Sequence, residues 1–148
     1  MNKDAEDTSL QSYHLNCRGL ERVLGTLEAA IMESMWHKQE ATIREVWEEL
    51  CLEKHVAFNT IMTVMNRLVE KGLLRRSGVT GSYRFQPLMT REDFLDKLSR
   101  EVSLSLITDF GRRAVAQFVE VLEEGNPEYL ELIQEMVCRR KEGQNKKR

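Results

Sequence analysis

The chain has 148 residues, 41% of them hydrophobic and 31% charged, the composition of a globular protein with room for one domain or two small ones. No apolar run approaches the roughly 20 residues that span a bilayer, and the acidic, polar start MNKDAEDTSLQSYH lacks the apolar centre of a signal peptide. A membrane partner is thereby excluded and the cytoplasm is the expected location. The net charge of -2 hides an uneven distribution: residues 1–53 carry -6, residues 54–88 carry +5, and residues 89–148 carry -1.

Residues 1–19 are polar and aperiodic and are expected to be a flexible arm. From Leu20 onward, Leu24, Leu27, Ile31 and Met35 recur at helical spacing, with Ala30 and Trp36 beside them, which predicts one amphipathic helix ending near His37. Thr42 followed by Glu45 is a capping-box pattern that opens a second, short helix with an apolar stripe of Ile43, Val46, Trp47 and Leu50. A third helix begins near Ala57. Its stripe is Ile61, Val64, Met65 and Leu68, and Gly72 is its expected stop.

After Gly72 the period changes to two. LLRRS and SYRFQP, joined through a tip bounded by Gly78 and Gly81, predict a β-hairpin. Leu74, Tyr83 and Phe85 supply its inward face, Arg75, Arg76 and Arg84 its outward face, and Pro87 ends the second strand. Thr90-Arg91-Glu92-Asp93 opens a further helix with acids in its first turn. Gly111 marks a break, and Asn126-Pro127-Glu128 is a restart signal. The end, CRRKEGQNKKR, is basic and is expected to fray.

The expected organisation is therefore a flexible arm at 1–19, a three-helix and hairpin domain at 20–88, a helical region at 89–140 and a basic tail at 141–148. The fold class is mostly α with a small β wing. Three helices followed by a hairpin form the plan of a winged helix-turn-helix, in which the helix after the turn enters the DNA major groove. On the third helix, Asn59, Met62, Thr63 and Asn66 point away from the apolar stripe, with Thr60 and Arg67 on its flanks and no acid before Glu70. Ordinary solvated helix faces favour Glu, Lys and Gln, because Asn and Thr are weaker helix formers. A binding face accounts for that choice. Asn can pair with adenine through two hydrogen bonds, Thr offers a hydroxyl or a methyl, and Ala57, Phe58 or Met62 can meet a thymine methyl. Arg67, Lys71, Arg75, Arg76 and Arg84 are candidates for phosphate, which positions a protein without reading sequence.

Other chemistries find little support. Cys17, Cys51 and Cys138, an odd number at wide spacing, make no disulfide framework. Cys51 and His55 alone fall short of the four ligands of a zinc site, so no metal and no cofactor is expected. GVTGSY has neither the spacing nor the lysine of a phosphate loop, and no nucleophile motif or carboxylate pair stands out, so an enzyme is not expected. Met32, Met35, Met62 and Met65 leave open an adaptable ligand pocket, although methionines at helical spacing usually serve a core. A winged helix can also dock proteins in a larger assembly, but such a surface needs no +5 segment.

The segments LGTLEAAIMESMW, TIREVWEEL, AFNTIMTVMNRLVEKGLLRR and YRFQPLMTRE resemble the penicillinase-repressor family (BlaI/MecI/CopY type). The likeness spans about residues 20–98 and, more loosely, extends to about 140. It implies a homodimeric repressor that reads a palindromic double-stranded operator through its winged helix and interlocks through its C-terminal helices. The implied reading face is Ala57, Phe58, Asn59, Thr60, Met62 and Thr63, supported by Arg67, Arg75, Arg76, Ser82 and Arg84; helical spacing adds Asn66 to the candidate DNA contacts. The implied dimer residues are Phe94, Leu95, Leu98, Val102, Leu106, Phe110, Phe118, Leu130, Ile133 and Met136. The sequence departs from two branches of the family. Where members released by proteolysis carry an Asn-Phe bond, this chain reads Arg100-Glu101-Val102, and the nearest similar pair, Asp109-Phe110, lies further along. Copper-responsive members carry Cys-x-Cys motifs near the C-terminus, where this chain has Cys138 alone. An upstream sensor or protease, and the inducing signal, stay open.

Overall fold

The computed structural model describes residues 19–146. The expected arm, with Cys17, lies outside them except for Gly19. The elements in chain order are α1 (Glu21–Leu24), α2 (Thr26–Lys38), α3 (Ile43–Lys54), α4 (Phe58–Glu70), β1 (Leu74–Ser77), β2 (Arg84–Pro87), α5 (Arg91–Phe110), α6 (Arg112–Gly125) and α7 (Glu128–Asn145). They form two compact units, Met1–Leu95 and Asp96–Arg148, with the boundary inside α5.

The first unit is the expected winged helix. Ile31, Met32, Met35, Val46, Ile61, Met65, Leu68, Leu74 and Phe85 are fully buried and form its centre. Three of the four methionines that suggested a pocket are thus core, and only Met62 faces outward. The single helix expected over 20–37 is broken in two: the backbone leaves helical geometry at Gly25 (φ 80°, ψ 162°), and α2 begins one residue later. Thr42 and Glu45 form the full capping box, with N–H···O distances of 2.7 and 3.2 Å. The stop at Gly72 is a Schellman motif. The Leu73 N–H bonds to the Leu68 carbonyl at 3.0 Å, the Gly72 N–H bonds to the Val69 carbonyl at 3.0 Å, and Gly72 takes a φ of 75° that L-residues avoid.

β1 and β2 pair antiparallel with Leu74 opposite Pro87 and Ser77 opposite Arg84. A third, one-residue rung escaped the sequence reading. Buried Ala41 exchanges two backbone hydrogen bonds with Phe85, of 3.1 and 2.8 Å, and ties the stretch between α2 and α3 to the wing. This unit also reaches past the expected boundary at residue 88. The Trp36 indole N–H donates to the Met89 carbonyl at 3.0 Å, Arg91 pairs with Glu33 at 3.0 Å, and Phe94 lies 5.5 Å from Trp36, ring centre to ring centre.

In the second unit α6 packs on α7. Leu122 is buried and Leu130 and Ile133 are half-buried. The basic tail does not fray at residue 141: α7 runs on to Asn145, with an Arg139–Glu135 ion pair one turn apart on its surface. Among the described residues no helix is long and apolar enough to cross a membrane.

Candidate nucleic-acid interface

α4 divides as its spacing predicts. Ile61, Val64, Met65 and Leu68 are buried, whereas Ala57, Phe58, Asn59, Thr60, Met62, Thr63 and Arg67 are exposed and Asn66 is half-buried. The turn before α4 is held from below. His55 adopts left-handed geometry (φ 49°, ψ 44°), its N–H caps α3 on the Cys51 carbonyl at 3.0 Å, and the Trp47 indole N–H donates to the Val56 carbonyl at 2.9 Å. The same Trp47 ring meets Phe58 edge-on at 6.0 Å. Phe58 is therefore fixed in direction while staying 38% exposed. Trp47 was assigned only to the core stripe by the sequence. Its second role depends on where the indole points, which helical spacing does not specify.

The start of α4 lacks both an acid in its first turn and a side-chain cap, because its N-cap is Ala57. Its leading N–H groups and the positive end of its dipole are left for an outside anion.

Hydrogen bonding separates residues that look equivalent in the sequence. The Thr63 hydroxyl donates to the Asn59 carbonyl at 2.9 Å, which commits its proton to the helix and leaves its methyl as the group to present. The Asn66 side-chain oxygen accepts from Arg76 at 3.2 Å, so Asn66 no longer offers a free donor–acceptor pair. Asn59 is exposed, and among the described residues its side-chain amide has no partner, so it keeps both groups that adenine needs.

The arginines also divide. Arg76 lies 4.4 Å over the Tyr83 ring and bonds to Asn66, which places a cation between the wing and α4. Arg75 donates to the neutral Gln86 across the hairpin. Arg67 is exposed and makes no ion pair among the described residues. Lys71 and Arg84 differ: Lys71 bonds both oxygens of the nearly buried Glu28 at 2.8 Å, and Arg84 pairs with Glu40. Acids from the first third of the chain thus neutralise two of the six cations in the +5 segment. Ser82 is exposed near the wing tip, where Gly78 is required: a Cβ there would sit 2.7 Å from the Ser82 carbonyl oxygen.

Two carboxyls of α3 are held below their ordinary value. Glu45 is lowered by its hydrogen bonds with Thr42, the backbone N–H first, and Glu49 by its hydrogen bond with Lys38 and then by that of Ser34. Glu45 closes the start of α3, Glu49 ties α3 to Ser34 and Lys38 of α2, and both remain charged at neutral pH.

The residues expected to join two copies lie elsewhere in the chain. Phe94 does not present itself for that role, since the first unit buries it against Trp36. Leu95, Leu98, Val102, Leu130 and Ile133 are half-buried, while Leu106, Phe110, Phe118 and Met136 are exposed. Ile107, Tyr129 and Leu132, apolar at helical spacing in the sequence, are exposed as well, and so are Leu104, Val115 and Val121, which were not singled out there. The chain continues helically through this region, so their apolar character was the one available signal.

A profile described as "Penicillinase repressor" matches residues 24–139. The "Transcriptional regulator BlaI" of two Mycobacterium tuberculosis strains, CDC 1551 / Oshkosh and ATCC 25618 / H37Rv, is 34% identical over 100 residues, which cover 66% of this chain and 72% of the relative. Among solved structures, the solution structure of the DNA binding domain of the repressor BlaI matches with a TM-score of 0.41 at 25% identity, covering 45% of this chain and 82% of that domain.

Proposed function

The chain belongs to the penicillinase repressor family and as a member is a DNA-binding transcriptional repressor; we propose that two copies hold a palindromic operator and occlude the promoter it overlaps. The observation that carries this reading is the surface of α4. An exposed, acid-free row from Ala57 to Thr63 is flanked by Arg67, Arg75 and Arg76, none of which has a carboxylate partner among the described residues. Asn59 reads an adenine, and Met62 with the Thr63 methyl meets thymine methyls, which weights the site toward A·T pairs. Arg67, Arg75 and Arg76 take phosphate, Ser82 supports them at the wing tip, and the uncapped start of α4 receives a further phosphate.

Each half-site offers limited affinity. Joining two copies through the exposed apolar faces of α5, α6 and α7 makes the second contact effectively intramolecular. Whatever separates those helices releases the DNA. An upstream sensor or protease would act there, and the absence of an Asn-Phe bond at Arg100-Glu101-Val102 points away from cleavage at that place. The work is done on cellular DNA, so the cytoplasm is its place. Hydroxyl-radical footprinting on the promoter of the chain's own gene neighbourhood tests the reading. Two protected patches related by two-fold symmetry, about 10 base pairs or a multiple apart, are expected. A single unsymmetric patch would contradict the dimeric arrangement.

A further inference from the structure

Arg84 stands on the wing with the other arginines, yet its guanidinium is already engaged. Its Nε donates to one oxygen of Glu40, and the Gln86 side-chain N–H donates to the other at 3.4 Å. The Gln86 oxygen in turn accepts from Arg75. This fixes the amide's direction: its nitrogen must face the carboxylate and its oxygen the guanidinium. Glu40 itself is held in place by the backbone, because the next residue, Ala41, is locked to Phe85 by two hydrogen bonds. One carboxylate therefore touches two wing side chains and, through the second, a third.

We propose that Glu40 is a positioning residue of the DNA interface, which withholds Arg84 from phosphate and aims Arg75 through Gln86. The proposal rests on the DNA-binding reading above. An acid beside a DNA surface costs affinity. Its gain is selectivity, since phosphate contacts strengthen binding to every duplex alike, whereas base contacts distinguish one from another. With Glu40 in place, the wing keeps Arg76, an aimed Arg75 and a neutralised Arg84, and the α4 face decides where the protein settles.

The test uses the full-length chain, with operator and random duplexes titrated at several salt concentrations. Glu40→Gln keeps the side-chain shape and removes the charge. It should bind random duplex about tenfold more tightly at about 0.1 M salt and steepen the log–log salt slope by about 0.9 per subunit, the increment of one added phosphate contact. The operator-to-random ratio should fall, with the melting temperature unchanged. Arg84→Gln alone should leave the slope as it is, and the double variant should behave like Arg84→Gln. An unchanged slope in Glu40→Gln, or a flatter one in Arg84→Gln alone, overturns the proposal. A parent chain without salt-dependent duplex binding overturns the DNA reading itself and the proposal with it, a result distinct from the variant outcomes.

Discussion

In the proposed DNA complex Asn59 and Arg76 do different work. Asn59→Ala should flatten base preference at one position of the operator, by about 1–3 kcal/mol at the contacted pair, and leave random duplex nearly untouched. Arg76→Ala should weaken all duplexes alike and reduce the salt slope by about 0.9 per subunit. Competition titrations against operators changed one base pair at a time separate the two, and equal effects on specificity would contradict the division. The face on which Asn59 sits was legible in the sequence, because a period of 3.6 sorts buried from exposed positions without help from the rest of the chain. The engagement of the arginines was not. Glu40 is 44 residues from Arg84 and Glu28 is 43 from Lys71, so counting charges by segment credited the wing region with two cations that other segments neutralise.

At the scale of elements, α4 gives up stability at its start. Ala57 is a poor N-cap, and the structure supplies no substitute. Ala57→Asp should therefore raise the stability of the first unit by about 1 kcal/mol, read in urea titrations, and should cut DNA affinity through repulsion of phosphate. If the variant gains stability and binds as well as the parent, the start of α4 is not at the DNA. α3 makes the opposite choice with its capping box. Because Glu45 has a lowered folded pKa, the unfolded chain takes up the proton first. Its contribution is then full above the ordinary carboxylate value of 4.5 and is lost as pH falls through the folded value. Glu45→Gln should flatten the acid limb of the stability curve and converge with the parent once pH lies below the folded value. The capping box was readable because it is a local pattern of four residues. The break at Gly25 and the Ala41 rung were not, because nothing near them alters the helical period or signals a strand of one residue.

At the scale of the whole molecule, the second unit buries too little by itself. Phe110, Phe118 and Val121 are each close to 60% exposed, and patches of this kind mark association surfaces. Phe118→Asp should dissociate the proposed dimer, since in that arrangement each copy forfeits about 2 kcal/mol of ring burial and places a charge in an apolar contact. Sedimentation should show monomers at concentrations where the parent is dimeric, with the first unit still folded. The melting temperature of the parent, unlike that of the variant, should rise with concentration. Helical spacing alone could list apolar residues here, but it could not say that the first unit claims Phe94, because that depends on Trp36, 58 residues earlier.

The central claim is that α4 and the wing hold operator DNA, with three arginines in each of two subunits that have no carboxylate partner among the described residues. Equilibrium titration of the full-length protein against its promoter fragment and a random duplex, repeated across salt concentrations, tests it most directly. The promoter should bind far more tightly than the random duplex, and its log–log salt slope should lie near about -5, with the uncapped α4 starts adding to it if they meet phosphate. Equal binding of the two duplexes at moderate salt, or a slope near zero, would contradict the account.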